Sequence, residues 1–192
     1  MKRVLIVVAY DGTAYHGWQM QPNAVTIEQI INESLTKLLG EDIEVIGASR
    51  TDAGVHAEGN VAVFDTNTSI PAEKISYALN RILPDDIVIQ ESYEVEPDFH
   101  PRKCESIKTY MYRILNRSFD LPVKGRNAIH VYKKLDIDLM REAAAYFVGQ
   151  HDFRNFCSTH TQAKSTVRIV YSLDIEKDGD EIIIVVWKWF FI

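Results

Sequence analysis

The apolar residues of the first hundred positions change period in one particular order, and that order admits few folds. Arg3 to Tyr10 is an almost unbroken apolar run, the pattern of a buried strand. Thr26 then stands as an N-cap with Gln29 in capping-box position. Ile27, Ile30, Ile31, Leu35, Leu38 and Leu39 follow at helical spacing until Gly40 stops them. Ile43–Ser49 and Glu58–Thr66 predict two strands, the second with Val61 and Val63 on one face and Ala62 and Phe64 on the other. Pro71 opens a helix to about Leu83, Pro84-Asp85 ends it, and Asp86–Val95 predicts another strand. Strand, helix, strand, strand, helix, strand is the split-βαβ, ferredoxin-like order.

A second round begins at Pro101. Cys104–Leu115 predicts a long strand and Ala128–Tyr132 a short one. Asp136 caps a helix carrying Ile137, Leu139, Met140, Ala143, Ala144 and Phe147, with Gly149 at its end. Val167–Glu176 and Glu181–Trp189 predict a hairpin turning at Asp178-Gly179. The expected architecture is therefore α+β. Two ferredoxin-like (β-α-β-β-α-β) subdomains, residues 1–100 and 101–192, have antiparallel sheets that meet at a central cleft, the second lacking its closing α-β. Without that pair the second sheet should expose apolar side chains and unpaired backbone. The apolar, strand-prone ending Trp187-Lys188-Trp189-Phe190-Phe191-Ile192 adds to the exposure.

Composition narrows the class further. Hydrophobic residues at 46% and charged residues at 25% are ordinary globular values, which excludes collagen-like and low-complexity chains. Val4–Ala9 is too short to span a bilayer and no small-residue cleavage site follows it, so neither membrane insertion nor a signal peptide is expected. Cys104 and Cys157 allow at most one bridge, and a reducing, cytoplasmic compartment is the default expectation. The net charge of −6 is unevenly spread: residues 1–100 hold 6 Lys/Arg against 16 Asp/Glu, residues 101–134 hold 9 against 2, and residues 135–192 hold 6 against 9. A basic segment in an acidic chain can guide a polyanion to one face. It is equally the pattern of a solvated strand with basic flanks.

The densest polar cluster is Gly47–Ala57, a loop that leaves one predicted strand and enters the next. Arg50 and Asp52 lie two apart, so in an extended segment they share a face and the cation can keep the carboxylate ionised. The same residues also make an ordinary Asp-Ala-Gly turn with a surface ion pair, and His56 beside them has the setting of a hydrogen-bonded structural residue. The six histidines, His16, His56, His100, His130, His151 and His160, show no metal-ligand spacing. No GxSxG elbow is present, Gly12 and Gly17 form no phosphate loop, and only Asp52 has a distinctive setting among the carboxylates. In Lys108-Thr109-Tyr110-Met111-Tyr112-Arg113, alternation puts Lys108, Tyr110 and Tyr112 on one face and Thr109, Met111 and Arg113 on the other. Aromatics beside cations can stack a nucleobase and hold its phosphates. One core tyrosine and one half-exposed tyrosine would give the same pattern.

The loop core Arg50-Thr51-Asp52-Ala53-Gly54-Val55-His56 does not stand alone. Tyr10-Asp11-Gly12, His16-Gly17-Trp18-Gln19, Leu79–Pro84 and Phe99-His100-Pro101-Arg102 lie around it in sequence, followed by Lys108–Arg113, Gly149–Phe153 and Thr166-Val167-Arg168. In this order they resemble the tRNA pseudouridine synthase A family, near-continuously from residue 3 to about residue 186. The resemblance implies an isomerase that converts uridine to pseudouridine in the tRNA anticodon stem and loop, at positions 38, 39 and 40 in the family. It assigns Asp52 as the catalytic aspartate, Tyr110 as the ring that stacks on the target uracil, and Arg50 as an aid to nucleotide flipping that pairs with the aspartate. Lys108 and Arg113 join them as substrate-binding cations. It further implies no cofactor, no metal, and a homodimer in which one tRNA touches both subunits.

From Trp187 the chain departs from the family, which has a Gly-Asn-Gly-Phe-Leu segment there and then a helix whose arginine sits beside the catalytic aspartate. Trp187-Lys188-Trp189-Phe190-Phe191-Ile192 can be encoded as TGG AAA TGG TTT TTT ATA, which read one base later gives Gly-Asn-Gly-Phe-Leu. A single-nucleotide frameshift that removed the family's last segment is the expectation, and weak or absent turnover with it. The alternative is a catalytically silent tRNA-binding or chaperone-like module. An acid–base hydrolase using Asp52 and His56 is a third reading, and it leaves the tyrosine–cation strand without a role.

Overall fold

The computed structural model describes residues 1–157 and 165–190; His160, Phe191 and Ile192 lie outside them. The chain divides into two compact units, Met1–Cys104 and Glu105–Ile192. Both are mixed α+β with one sheet each and few helices, as two ferredoxin-like subdomains require.

The first unit contains β1 (Lys2–Tyr10), α1 (Ile27–Leu39), β2 (Ile46–Gly47), β3 (Ala57–Thr66), α2 (Ala72–Leu79) and β4 (Ile87–Val95). Its antiparallel sheet has the order β2-β3-β1-β4. Val4, Ile6, Val8 and Tyr10 of β1, with Ala62 and Phe64 of β3, pack against Ile27, Ile31 and Leu35 of α1 and Ile75 and Leu79 of α2. Each such aliphatic side chain contributes on the order of 2 kcal/mol by leaving water. The start and stop of α1 are local: Thr26 Oγ1 accepts from the Gln29 N–H at 3.4 Å, and Gly40 closes the helix at φ 68°.

Two elements are shorter than the periodicity predicts. Strand β2 keeps only Ile46–Gly47 of the expected Ile43–Ser49, because α1 intercepts the backbone before it. Thr36 Oγ1 accepts from the Ile43 N–H at 3.2 Å and Asn32 Oδ1 from the Val45 N–H at 2.9 Å. Helix α2 ends at Leu79 rather than Leu83. Asn80 turns away to bind Ile89, accepting its N–H at 2.7 Å and donating to its carbonyl at 2.8 Å. On the sheet face away from the helices, Arg3 and Asp65 stand opposite each other in register and are joined twice, at 2.7 and 2.8 Å.

The second unit contains β5 (Ser106–Asn116), β6 (Ile129–Val131), α3 (Ile137–Ala145), β7 (Gly149–Asp152), β8 (Val167–Asp178) and β9 (Glu181–Phe190), in the sheet order β6-β5-β9-β8-β7. Asp136 caps α3 by accepting from the N–H groups of Asp138 and Leu139 at 3.1 and 3.2 Å. The β8–β9 hairpin turns at Gly179, φ 58°. Strand β7 was not expected: Gly-Gln-His-Asp has no apolar alternation, and pairing with Val167–Val170 makes it a strand. Ile114, Leu173, Ile175, Ile182 and Ile184 form the small core with α3.

Strand β6 runs parallel to β5 but pairs only with Ile114–Asn116. Among the described residues, Ser106–Arg113 therefore has no strand on that side. Tyr112 on one face and Ile107, Met111 and Trp187 on the other are exposed, so the second sheet presents apolar side chains on both faces. No helix of the described residues is long and apolar enough to cross a membrane.

Candidate active site

The loop between β2 and β3 is fixed from below by the segment that follows β1. The Trp18 N–H donates to the Thr51 carbonyl at 3.1 Å, and the Gly54 N–H to the Tyr15 carbonyl at 3.1 Å. The Val55 N–H closes a turn onto the Asp52 carbonyl at 3.2 Å. The Thr51 hydroxyl shares a 2.9 Å hydrogen bond with Tyr10 at the end of β1. Burial pushes the Tyr10 phenol up. Tyr15 is pushed up as well, by burial first and then by its 2.6 Å hydrogen bond to the Asp86 carboxylate. Both phenols stay protonated, and Tyr15 donates to Asp86.

Close approach explains two glycines. A Cβ on Gly12 would stand 2.0 Å from the Val55 carbonyl oxygen. Gly17, at φ 87°, would place one 2.4 Å from the Thr51 oxygen. At the root of the loop, Arg102 Nε donates to the Gly47 carbonyl at 2.7 Å, and the Asn60 amide to the Ser49 carbonyl at 3.2 Å. The backbone around Asp52 is thus held at many points, while the side chains of Arg50 and Asp52 themselves are exposed.

The expected Arg50–Asp52 ion pair does not form; among the described residues neither side chain is in an ion pair. Both stand in water, where such a pair gains only about 0–1 kcal/mol against the entropy of fixing two side chains. The buried framework beneath them, Tyr10, Tyr15, Trp18 and Arg102, carries no charge pattern that would mark it as a site. Its only signal in the sequence is the resemblance.

In the second unit, the β5–β9 register sets Lys108 opposite Lys188 and Tyr110 opposite Val186. Lys188 Nζ lies 4.3 Å from the centre of the Tyr110 ring, a cation–π contact on a ring that is still 45% exposed. Burial lowers the Lys188 ammonium, with Arg168 repelling it further, and burial raises the Tyr110 phenol. Lys108 and Tyr110 are brought together as the alternation predicts.

Arg113 is held elsewhere. It lies on the opposite face of β5, bound at 2.7 Å to the Glu181 carboxylate, which also takes Lys124. Lys124 and Arg113 together hold the Glu181 carboxyl below the usual carboxylate range. Glu181 is 68 residues from Arg113 in sequence, and no local pattern announces it.

No three His, Cys, Asp or Glu side chains among the described residues gather closely enough to hold a metal ion. What the first unit offers is an exposed carboxylate on a rigid loop. The second offers a half-open tyrosine ring flanked by lysines.

Comparison with known proteins extends this picture. The family pattern described as tRNA pseudouridine synthase matches residues 6–102 and 143–188. The tRNA pseudouridine synthase A of Thermoanaerobacter sp. strain X514 is 50% identical over 180 residues, covering 94% of this chain and 74% of that protein. That of Acetivibrio thermocellus is 48% identical over 178 residues, covering 93% and 73%. That of Brevibacillus brevis is 48% identical over 182 residues, covering 95% and 75%.

Proposed function

The chain belongs to the tRNA pseudouridine synthase family, an isomerase family, and from that premise we propose that it converts uridine to pseudouridine in the anticodon stem and loop of tRNA with Asp52 as the catalytic carboxylate. The supporting observation is the loop itself: an exposed carboxylate on a backbone pinned through Thr51, Gly54 and Val55. A reacting group must be presented from a rigid support, and pinning the backbone on either side of Asp52 limits where its carboxylate can reach.

The target nucleotide leaves the stack at a cost of a few kcal/mol. Tyr110 recovers part of that by stacking on the uracil, typically about 1–3 kcal/mol per base. Arg50 aids the flipping, and Lys108 binds the substrate beside Tyr110. Asp52 acts on the base or on the ribose as the C1′–N1 bond breaks. The uracil turns, a bond forms between C1′ and C5, the C5 hydrogen leaves as a proton and N1 regains one. Bond making balances bond breaking within one base, so no cofactor takes part. The active unit in this reading is a homodimer with one tRNA against both subunits. Arg113 binds Glu181 on the other face of β5.

The test uses tRNA transcripts tritiated at uracil C5. Tritium release by the full chain, abolished in Asp52→Asn, supports the reading; release that survives the substitution refutes it. A second reading rests on Asp52 having no ion-pair partner among the described residues: a silent tRNA-binding module. Equal tRNA binding by both chains with no release from either selects it.

A further inference from the structure

His56 closes the Asp52 loop, and one of its ring nitrogens faces two incompatible partners. Nδ1 lies 3.2 Å from the Gly12 nitrogen, whose N–H donates to it, and 3.1 Å from Asp11 Oδ1, which can only accept. A ring nitrogen carries either a lone pair or a proton. With a lone pair it takes the Gly12 N–H and its proton sits on Nε2. With a proton it turns from Gly12 to the Asp11 carboxylate, which already accepts from the Thr13 N–H at 2.9 Å and the Thr13 hydroxyl at 2.6 Å.

Gly12 transmits the choice. Its backbone is so close to Val55 that a Cβ would stand 2.0 Å from the Val55 oxygen, and the Val55 N–H closes the turn on Asp52. Movement at Gly12 therefore moves the turn that presents the carboxylate. The charged groups nearby are acidic: Asp11 before the turn at Gly12, Glu58 on β3, and Asp85 and Asp86 ahead of β4 line one shallow pocket, with Tyr15 bound to Asp86.

We propose that His56 is a positioning residue, whose neutral ring holds Gly12 and so sets the Asp52 turn, and whose protonation hands Nδ1 to Asp11 and releases that turn. The proposal rests on the reading of Asp52 as the reacting carboxylate.

The experiment follows tritium release across about pH 5–9, where histidine changes charge, for the full chain and for His56→Asn and His56→Ala. The asparagine Oδ1 can replace Nδ1 as acceptor and does not titrate. The parent loses kcat on the acid side with KM little changed. His56→Ala loses about tenfold or more in kcat at every pH, and His56→Asn recovers most of that at alkaline pH without the acid-side fall. An acid limb in His56→Asn like the parent's, or a loss equal to that of the alanine variant at alkaline pH, overturns the proposal. A second readout needs no turnover. In 15N-labelled, tRNA-free chain the Gly12 amide should shift with the same midpoint as His56 Nδ1, and a Gly12 amide that ignores the ring's titration overturns it. Coupled shifts in a chain that releases no tritium would leave the loop mechanics standing and remove the catalytic reading of Asp52 instead.

Discussion

Replacing Gly17 by alanine tests how tightly the Asp52 loop is seated. Two costs act at that position. The backbone sits at φ 87°, where an L side chain loses roughly 1–2 kcal/mol. The new methyl also starts 2.4 Å from the Thr51 carbonyl oxygen and 3.2 Å from the Asp52 carbonyl carbon. Ordinary contact begins near 3.4 Å, so the two must part by about 1 Å, and overpacking of that kind costs about 1–3 kcal/mol. Together the substitution should remove about 2–5 kcal/mol. Gly40→Ala is the control, since its φ is 68° and nothing lies within 4 Å of its Cβ. It incurs only the first cost, about 1–2 kcal/mol. Urea unfolding of both variants measures the difference, read as a shift in midpoint at unchanged slope. Tritium release measures its consequence: Gly17→Ala displaces Asp52 and loses about tenfold to a hundredfold in kcat, whereas Gly40→Ala keeps the parent rate. Equal destabilisation at the two glycines would falsify the crowding, and normal turnover in a destabilised Gly17→Ala would separate the Thr51 contact from the placement of Asp52.

Asp65→Asn tests the Arg3 pair. The hydrogen bond from Arg3 lowers the Asp65 carboxyl from its ordinary 3.8, so its contribution is fully present above that value and is lost as pH falls through the lower folded one. The side chain is 35% exposed, which limits the effect to about 1 kcal/mol or less. Acid unfolding curves for parent and variant should stay a constant distance apart above pH 3.8 and draw together as pH falls below it, and a constant separation at every pH would dismiss the pair. Tyr110→Phe should keep most of the tritium-release rate because the ring face is unchanged, while Tyr110→Ala loses about tenfold to a hundredfold, the equivalent of one lost base stack. A phenylalanine variant as inactive as alanine would assign the role to the hydroxyl instead.

The first unit was largely legible because its signals are local. Thr26 and Gly40 bound their helix through contacts within a few residues, and the alternation of Val61 to Phe64 sorts them onto the two faces of β3. Ile43–Val45 was misread because Asn32 and Thr36 take its backbone, an exchange that depends on how α1 lies over the chain. Gly149–Asp152 could not be read as a strand, since the partner that makes it one supplies all of the evidence. For the site, the loop and its carboxylate stood out by composition. The crowding of Gly12 and Gly17 against Val55 and Thr51 did not, because a glycine in sequence says that space is short without naming what fills it. Arg113 is the clearest case. Its place on a basic strand points to the substrate, and nothing local announces the glutamate far along the chain that it also binds.

The partial cover that β6 gives β5 bears on how the protein is handled. Among the described residues no strand pairs with that side of β5 before Ile114, and the exposed Ile107 and Met111 border it, so it is an edge on which an extended peptide, this chain's own included, can add. Loss from solution should therefore grow faster than linearly with protein concentration, and dilute stocks should outlast concentrated ones.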